Sequence, residues 1–144
     1  MARSPTLREV SLTLPMEPNL EVLASQVATA MAEFMRMTPD QVDEVRMSVV
    51  EVCINAIEHS RSKDQKIYLT FEVLGDRDPE ALRITVRDLG IGFAPEAVEE
   101  PDIRTKIRSP RKRGWGLKIC RGLMDEVEID SSGGGTIVMM TKRR

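Results

Sequence analysis

Val10, Leu12 and Leu14 alternate with Glu9, Ser11 and Thr13, which is the period of a half-buried strand, and Pro15 and Pro18 stop it. A first strand is therefore expected over about 7–14. Between Leu20 and Met35 the period changes: Leu20, Leu23, Ala24, Val27, Ala30, Met31 and Phe34 recur at helical spacing, with Asn19 as the expected cap. Thr38-Pro39-Asp40-Gln41 then reads as a cap, a proline at the first helical position and a reciprocal Thr-x-x-Gln box, so a second helix begins there and runs to about Ser60. Residues 66–74 and 81–88 are rich in β-branched and aromatic side chains and flank a polar turn from Gly75 to Glu80, the pattern of a hairpin. A helical pattern returns from Gly116 to Met124, and 126–130 with 136–141 form a last hairpin around Ser-Ser-Gly-Gly-Gly.

The order β-α-α-β-β-loop-α-β-β predicts an α+β two-layer sandwich, a mainly antiparallel mixed sheet with about three helices on one face. A chain of 144 residues has room for one domain, and 41% hydrophobic with 31% charged residues is the composition of a globular protein. No secretory leader or spanning stretch stands in the chain, so a cytoplasmic location and no membrane association are expected. Cys53 and Cys120 lie far apart, each inside an apolar helical pattern, and read as reduced core residues. Met31, Met35 and Met47 read as core filler, and Lys142-Arg143-Arg144 as a solvated tail. The net charge of −2 is no reason to expect nucleic acid. Its distribution is uneven: Glu96, Glu99, Glu100 and Asp102 precede Arg104, Lys106, Arg108, Arg111, Lys112 and Arg113, which suggests a polar loop.

On the second helix Val42, Val45, Val49, Val50, Val52, Cys53, Ile54, Ala56 and Ile57 share a wide apolar arc. Glu44, Ser48, Glu51, Asn55, Glu58 and His59 fall together opposite, with no Lys or Arg among them. Like charges one turn apart repel, so a cation above the strip would relieve it. Glu51 and Asn55 are four apart and address one object. Mg²⁺ suits them, because it takes hard oxygen ligands and often only one or two from protein beside phosphates and water. By itself the strip is described better by the wet side of an amphipathic helix. His59, the only histidine, reads as a helix-end residue near the rim of a pocket.

Two glycine-bearing turns follow. Asp88-Leu89-Gly90-Ile91-Gly92 leaves a strand, with an acceptor for an exocyclic amine and backbone free to approach closely; a bulged strand exit explains it equally. Gly114-Trp115-Gly116-Leu117 opens a helix, where free N–H groups and the positive dipole end suit phosphate; a sharp turn is the simpler alternative.

In order, Glu51-x-x-x-Asn55, Asp88-x-Gly90-x-Gly92 and Gly114-x-Gly116-Leu117 resemble the N, G1 and G2 boxes of the GHKL ATPases, which include gyrase and the histidine kinases. The resemblance is greatest to the bacterial anti-sigma-factor serine kinases of partner-switching systems and spans nearly the whole chain. It implies the Bergerat, histidine-kinase-like ATPase fold as one domain over 1–144, with a lid at about 94–113. It also implies ATP and Mg²⁺ as cofactors. Asn55 then resembles the metal ligand and Glu51 the base that activates a partner's serine. Asp88 resembles the adenine acceptor, with Gly90 and Gly92 shaping the purine pocket and Thr136 behind the base. Gly114, Gly116 and Leu117 resemble the phosphate loop, and Lys106 a lid lysine. The implied partners are a STAS-domain anti-anti-sigma protein and a sigma factor, with a homodimer through the sheet as the family habit. A nucleotide-gated binding module of the same fold without kinase activity is the alternative.

Overall fold

The computed structural model describes residues 5–59, 62–90, 115–131 and 134–144. Strand β1 (Thr6–Pro15) leads into helices α1 (Glu21–Phe34) and α2 (Pro39–His59), followed by strands β2 (Lys66–Leu74) and β3 (Ala81–Asp88). Helix α3 (Trp115–Leu123) precedes strands β4 (Glu126–Asp130) and β5 (Thr136–Arg143). The expected elements are present, with ends displaced by a residue or two.

The capping box holds: Thr38 N–H donates to Gln41 Oε1 at 3.0 Å, and Gln41 N–H to Thr38 Oγ1 at 3.2 Å. The cap expected at Asn19 does not. Helix α1 is entered through Leu20 with no side-chain capping bond, while Asn19 sits at φ 75. Asparagine tolerates this left-handed region better than most residues, so Asn19 turns the chain instead of capping it.

The five strands lie in the order β1-β2-β3-β5-β4, and among the described residues every ladder is antiparallel. The expected mainly antiparallel sheet is present, and among the described residues it contains no parallel ladder. The connection through α3 does bring β4 back in the direction of β3, as a parallel crossover would. Strand β5 then folds between them and pairs with both, so no parallel ladder forms.

Alternation places Ile67, Leu69, Phe71 and Val73 of β2, Leu82, Ile84 and Val86 of β3, and Val138 and Met140 of β5 on one buried face. Against it pack Val45, Val49, Val52, Cys53 and Ala56 of α2, with Leu117 and Cys120 of α3 and Met124 just beyond. Ala24, Ala28 and Ala32 recur every four residues on α1 and keep its buried face small. The other face of the sheet is polar. There Arg83 grips Glu72 through Nε and Nη2 at 3.0 and 2.9 Å, and the Arg87 guanidinium lies over the Tyr68 ring. Met35 is buried and Met31 packs against the core, but Met47 is 45% exposed, away from the apolar arc of its helix, and fills nothing. Among the described residues no helix is long and apolar enough to cross a membrane.

Candidate functional site

The acidic strip of α2 is divided by what covers it. Lys142 of β5 donates to Glu44 Oε2 at 3.2 Å and to the carbonyl of Leu123 at 2.6 Å. The cation that the strip calls for at Glu44 is thus the chain's own, and Lys142, 8% exposed, is not part of a solvated tail. One turn on, Ser48 is fully buried and its carbonyl accepts Cys120 Sγ–H at 3.4 Å. Helix α3 therefore lies over the first half of the strip. Glu51 and Asn55, in the second half, are partly exposed, and Glu58 and His59 are exposed at the helix end. The charge of Glu51 reaches α3: the Cys120 thiol is pushed up to about 12, chiefly by burial and further by that carboxylate.

At the far end of the sheet the second group assembles. Asp88 is the last residue of β3, 6% exposed, and its Oδ1 accepts the N–H of Gly90 at 2.8 Å. A carboxylate has room for several donors, and this bond helps to orient it. Thr136, the first residue of β5, is its cross-strand partner and shares the buried face. The Thr136 hydroxyl lies 3.2 Å from Ser131 Oγ. Gly135 holds φ 129, and a Cβ there would stand 2.0 Å from the Asp88 carbonyl oxygen. Only glycine allows the last turn to pass so close to the strand end.

Topology brings the two groups together. Asp88 and Thr136 are paired, and Asp88 pairs with Ile67 near the start of β2, so all three mark one end of the sheet. Helix α2 ends at His59, and the few residues from there to Lys66 return the chain to that same end. Helix α3 runs the opposite way: its C-terminus enters β4 at Glu126, opposite Thr141 at the other end of the sheet, so its N-terminus at Trp115 points toward Asp88. The last turns of α2, the ends of β3 and β5 and the first turn of α3 thus converge.

Of the residues singled out in the sequence, Glu51, Asn55, Asp88, Gly90 and Thr136 lie in this region. Gly116 is in the first turn of α3, and Leu117 is in the core beneath it. Gly92, Lys106, Gly114 and the lid segment 94–113 lie outside the described residues. Three contributors were missed. In the sequence Gly135 reads as one of several turn glycines, and Ser131 as turn polarity. Lys142 reads as tail, although its alternation with Thr136, Val138 and Met140 places it on the buried face.

The donors fit the groups the motifs imply. Asn55 and Glu51 present hard oxygens one turn apart on a partly open face, as Mg²⁺ requires. Among the described residues no three His, Cys, Asp or Glu side chains cluster as a metal cage, and a magnesium ion completed by phosphate and water needs none. The buried carboxylate of Asp88 suits an amine donor of a purine.

A family model of the histidine kinase-like ATPase domain matches residues 14–142. The serine-protein kinase RsbW of Halalkalibacterium halodurans is 26% identical over 137 residues, covering 92% of this chain and 82% of that protein. The anti-sigma F factor of Bacillus velezensis is 34% identical over 109 residues, covering 73% of this chain and 71% of that protein. The structure of the RsbU and RsbW domains of Rv1364c from Mycobacterium tuberculosis superposes with a TM-score of 0.68 at 20% identity, over 94% of this chain and 32% of that longer one, and bears on the fold alone. The chain belongs to the histidine kinase-like ATPases, among the serine-protein kinases and anti-sigma factors of that family.

Proposed function

We propose that the chain is a single ATP-binding domain working in the cytoplasm as a protein-serine kinase and anti-sigma factor. Its partners are a STAS-domain antagonist, which it phosphorylates, and a sigma factor, which it sequesters. The observation that carries the reading is the placement of Glu51 and Asn55, partly open and one turn apart, at the same end of the sheet as the buried Asp88–Thr136 pair.

In this reading Asp88 and Thr136 bind the adenine against a floor made by Gly90 and Gly135. The N–H groups of the first turn of α3 face the phosphates and stabilise their charge. Asn55 holds Mg²⁺, which when bound neutralises phosphate charge and orients the terminal phosphoryl group. The carboxylate of Glu51 accepts the proton of the incoming serine hydroxyl, a role worth roughly 10²–10⁴-fold in rate. Packing of Ser48 against Cys120 keeps α3 seated beside Glu51, so the base is held on a rigid element.

Incubation with labelled ATP and candidate STAS proteins tests this directly. Phosphoserine on the antagonist is expected, Asn55→Ala abolishing Mg-ATP binding and Glu51→Ala keeping binding while transfer falls roughly 10²–10⁴-fold. Equal loss of binding in both variants would overturn the two roles. Nucleotide-dependent capture of partners with no phosphoserine would replace the kinase by a nucleotide-gated binding module.

A further inference from the structure

Lys142 is an unexpected charge: a lysine on the buried face of a strand, at the end of the sheet away from Asp88. Burying an ammonium group is costly unless it is hydrogen-bonded and paired. Both conditions are met by groups on two different helices, Glu44 of α2 at 3.2 Å and the carbonyl of Leu123, the last residue of α3, at 2.6 Å. A cation at this position also faces the negative end of the α3 dipole.

The apolar anchors of α3 are Leu117 and Cys120, with Met124 following, spaced along one face. Such contacts are non-directional and choose the face that a helix buries, but they resist sliding along the axis weakly. A hydrogen bond from a buried ammonium to the terminal carbonyl is directional, and it sets the axial position. The neighbouring chain is tied to the same strand, Asp125 N–H donating to the Thr141 carbonyl at 2.9 Å and Arg143 N–H to Asp125 Oδ2 at 2.6 Å. On the α2 side Gln41 Nε2 donates to the Arg143 carbonyl at 3.2 Å. The end of β5 is thus a fixed post for the C-terminus of α3.

Nine residues of helix span about 13 Å, short enough to move as a rod. Where its C-terminus is clamped, its N-terminal N–H groups are placed as well. We infer that Lys142 is a positioning residue: by clamping the C-terminus of α3 against Glu44, it sets where the opposite end of that helix meets the phosphates of ATP. This rests on the reading above that phosphates lie at the α3 N-terminus. The adenine end of the site is built from β3 and β5 without α3, and that separation makes the role measurable.

The experiment compares Mg-ATP with adenosine, titrated calorimetrically against wild-type protein and K142M, whose side chain has similar length and no donor. ATP affinity is expected to fall roughly fivefold to thirtyfold, the range of a helix-end charge interaction in a partly buried site, with adenosine affinity held within about twofold. If K142M does not fold, the double variant E44L/K142M replaces the ion pair by an apolar one, a change that buried pairs commonly tolerate, and the same split is expected of it. Unchanged ATP affinity, or equal losses for ATP and adenosine, would overturn the inference. Wild-type protein that binds adenosine but gains nothing from the triphosphate would refute the phosphate placement itself, and wild-type protein that binds neither would refute the ATP reading; the clamp's role falls with either.

Discussion

Gly135 separates what a residue's identity requires from what its neighbourhood tolerates. At φ 129, with the Asp88 carbonyl 2.0 Å from an added Cβ, alanine must displace either the turn or the strand end. Gly135→Ala is expected to lower stability by about 2–3 kcal/mol and to weaken adenosine binding. Gly134→Ala, with nothing within 4 Å of its Cβ, should stay within about 0.5 kcal/mol of wild type in the same urea titrations. Asp64 offers a pH-dependent case. It accepts Ser62 Oγ–H at 2.5 Å, the Tyr68 hydroxyl and the Lys66 N–H at 3.1 Å; these bonds, that of Ser62 foremost and Tyr68 next, hold its carboxyl below the usual value. A depressed carboxyl stabilises the fold above its unfolded value, about 3.9, and that contribution disappears as pH falls through the lower folded value. Asp64→Asn should therefore be less stable than wild type at pH 7, with the gap closing in strong acid; a gap that persists there would show that the carboxylate's charge is irrelevant. Both residues were hard to read from sequence. Asp88 stood out because a carboxylate beside two glycines is a pattern, whereas the strain at Gly135 and the three donors on Asp64 arise only when chain segments meet.

At the level of elements, local rules were legible and non-local pairing was not. Helix α2 announced its start because Thr38, Pro39 and Gln41 each satisfy a first-turn requirement. Thr38→Ala should cost about 1 kcal/mol. Gln41→Ala is expected to cost at least as much, since Gln41 Nε2 also reaches the Arg143 carbonyl; urea midpoints with unchanged slopes would check both. Hairpins were equally visible, because two runs of period two around a short polar turn leave one economical pairing. The insertion of β5 between β3 and β4 was not visible: the chain between β3 and β5 includes a whole helix and strand, and no local pattern states which neighbour a strand will choose. The acidic strip of α2 shows the same boundary. Its sign segregation was readable, but that Lys142 neutralises Glu44 while Glu51 and Asn55 stay partly open depends on which half α3 covers.

For the whole molecule the two layers share one core, and its two thiols report on how cooperatively those layers hold. Cys53 on α2 and Cys120 on α3 are both fully buried, and burial above all pushes each thiol up to about 12. At pH 8 such a thiol is roughly 10⁻⁴ thiolate, against about a quarter for a thiol at the ordinary value near 8.5. Burial closes the sulfur to reagent as well, so modification must wait for the protein to open. If α2, α3 and the sheet open together, iodoacetamide labels both cysteines at one rate, and that rate tracks the population of unfolded protein as urea is added. Helix α3 has nine residues against the 21 of α2 and is joined on one side to the long segment after β3, so a smaller opening would free Cys120 first. The clamp at Lys142 opposes that smaller opening. Equal labelling rates in wild-type protein, and a selective acceleration at Cys120 in K142M, are therefore expected by mass spectrometry of the alkylated peptides. Faster labelling of Cys120 already in the wild type would mean that α3 leaves the core by itself, and that the first turn of this helix is not held ready for phosphate before the nucleotide arrives.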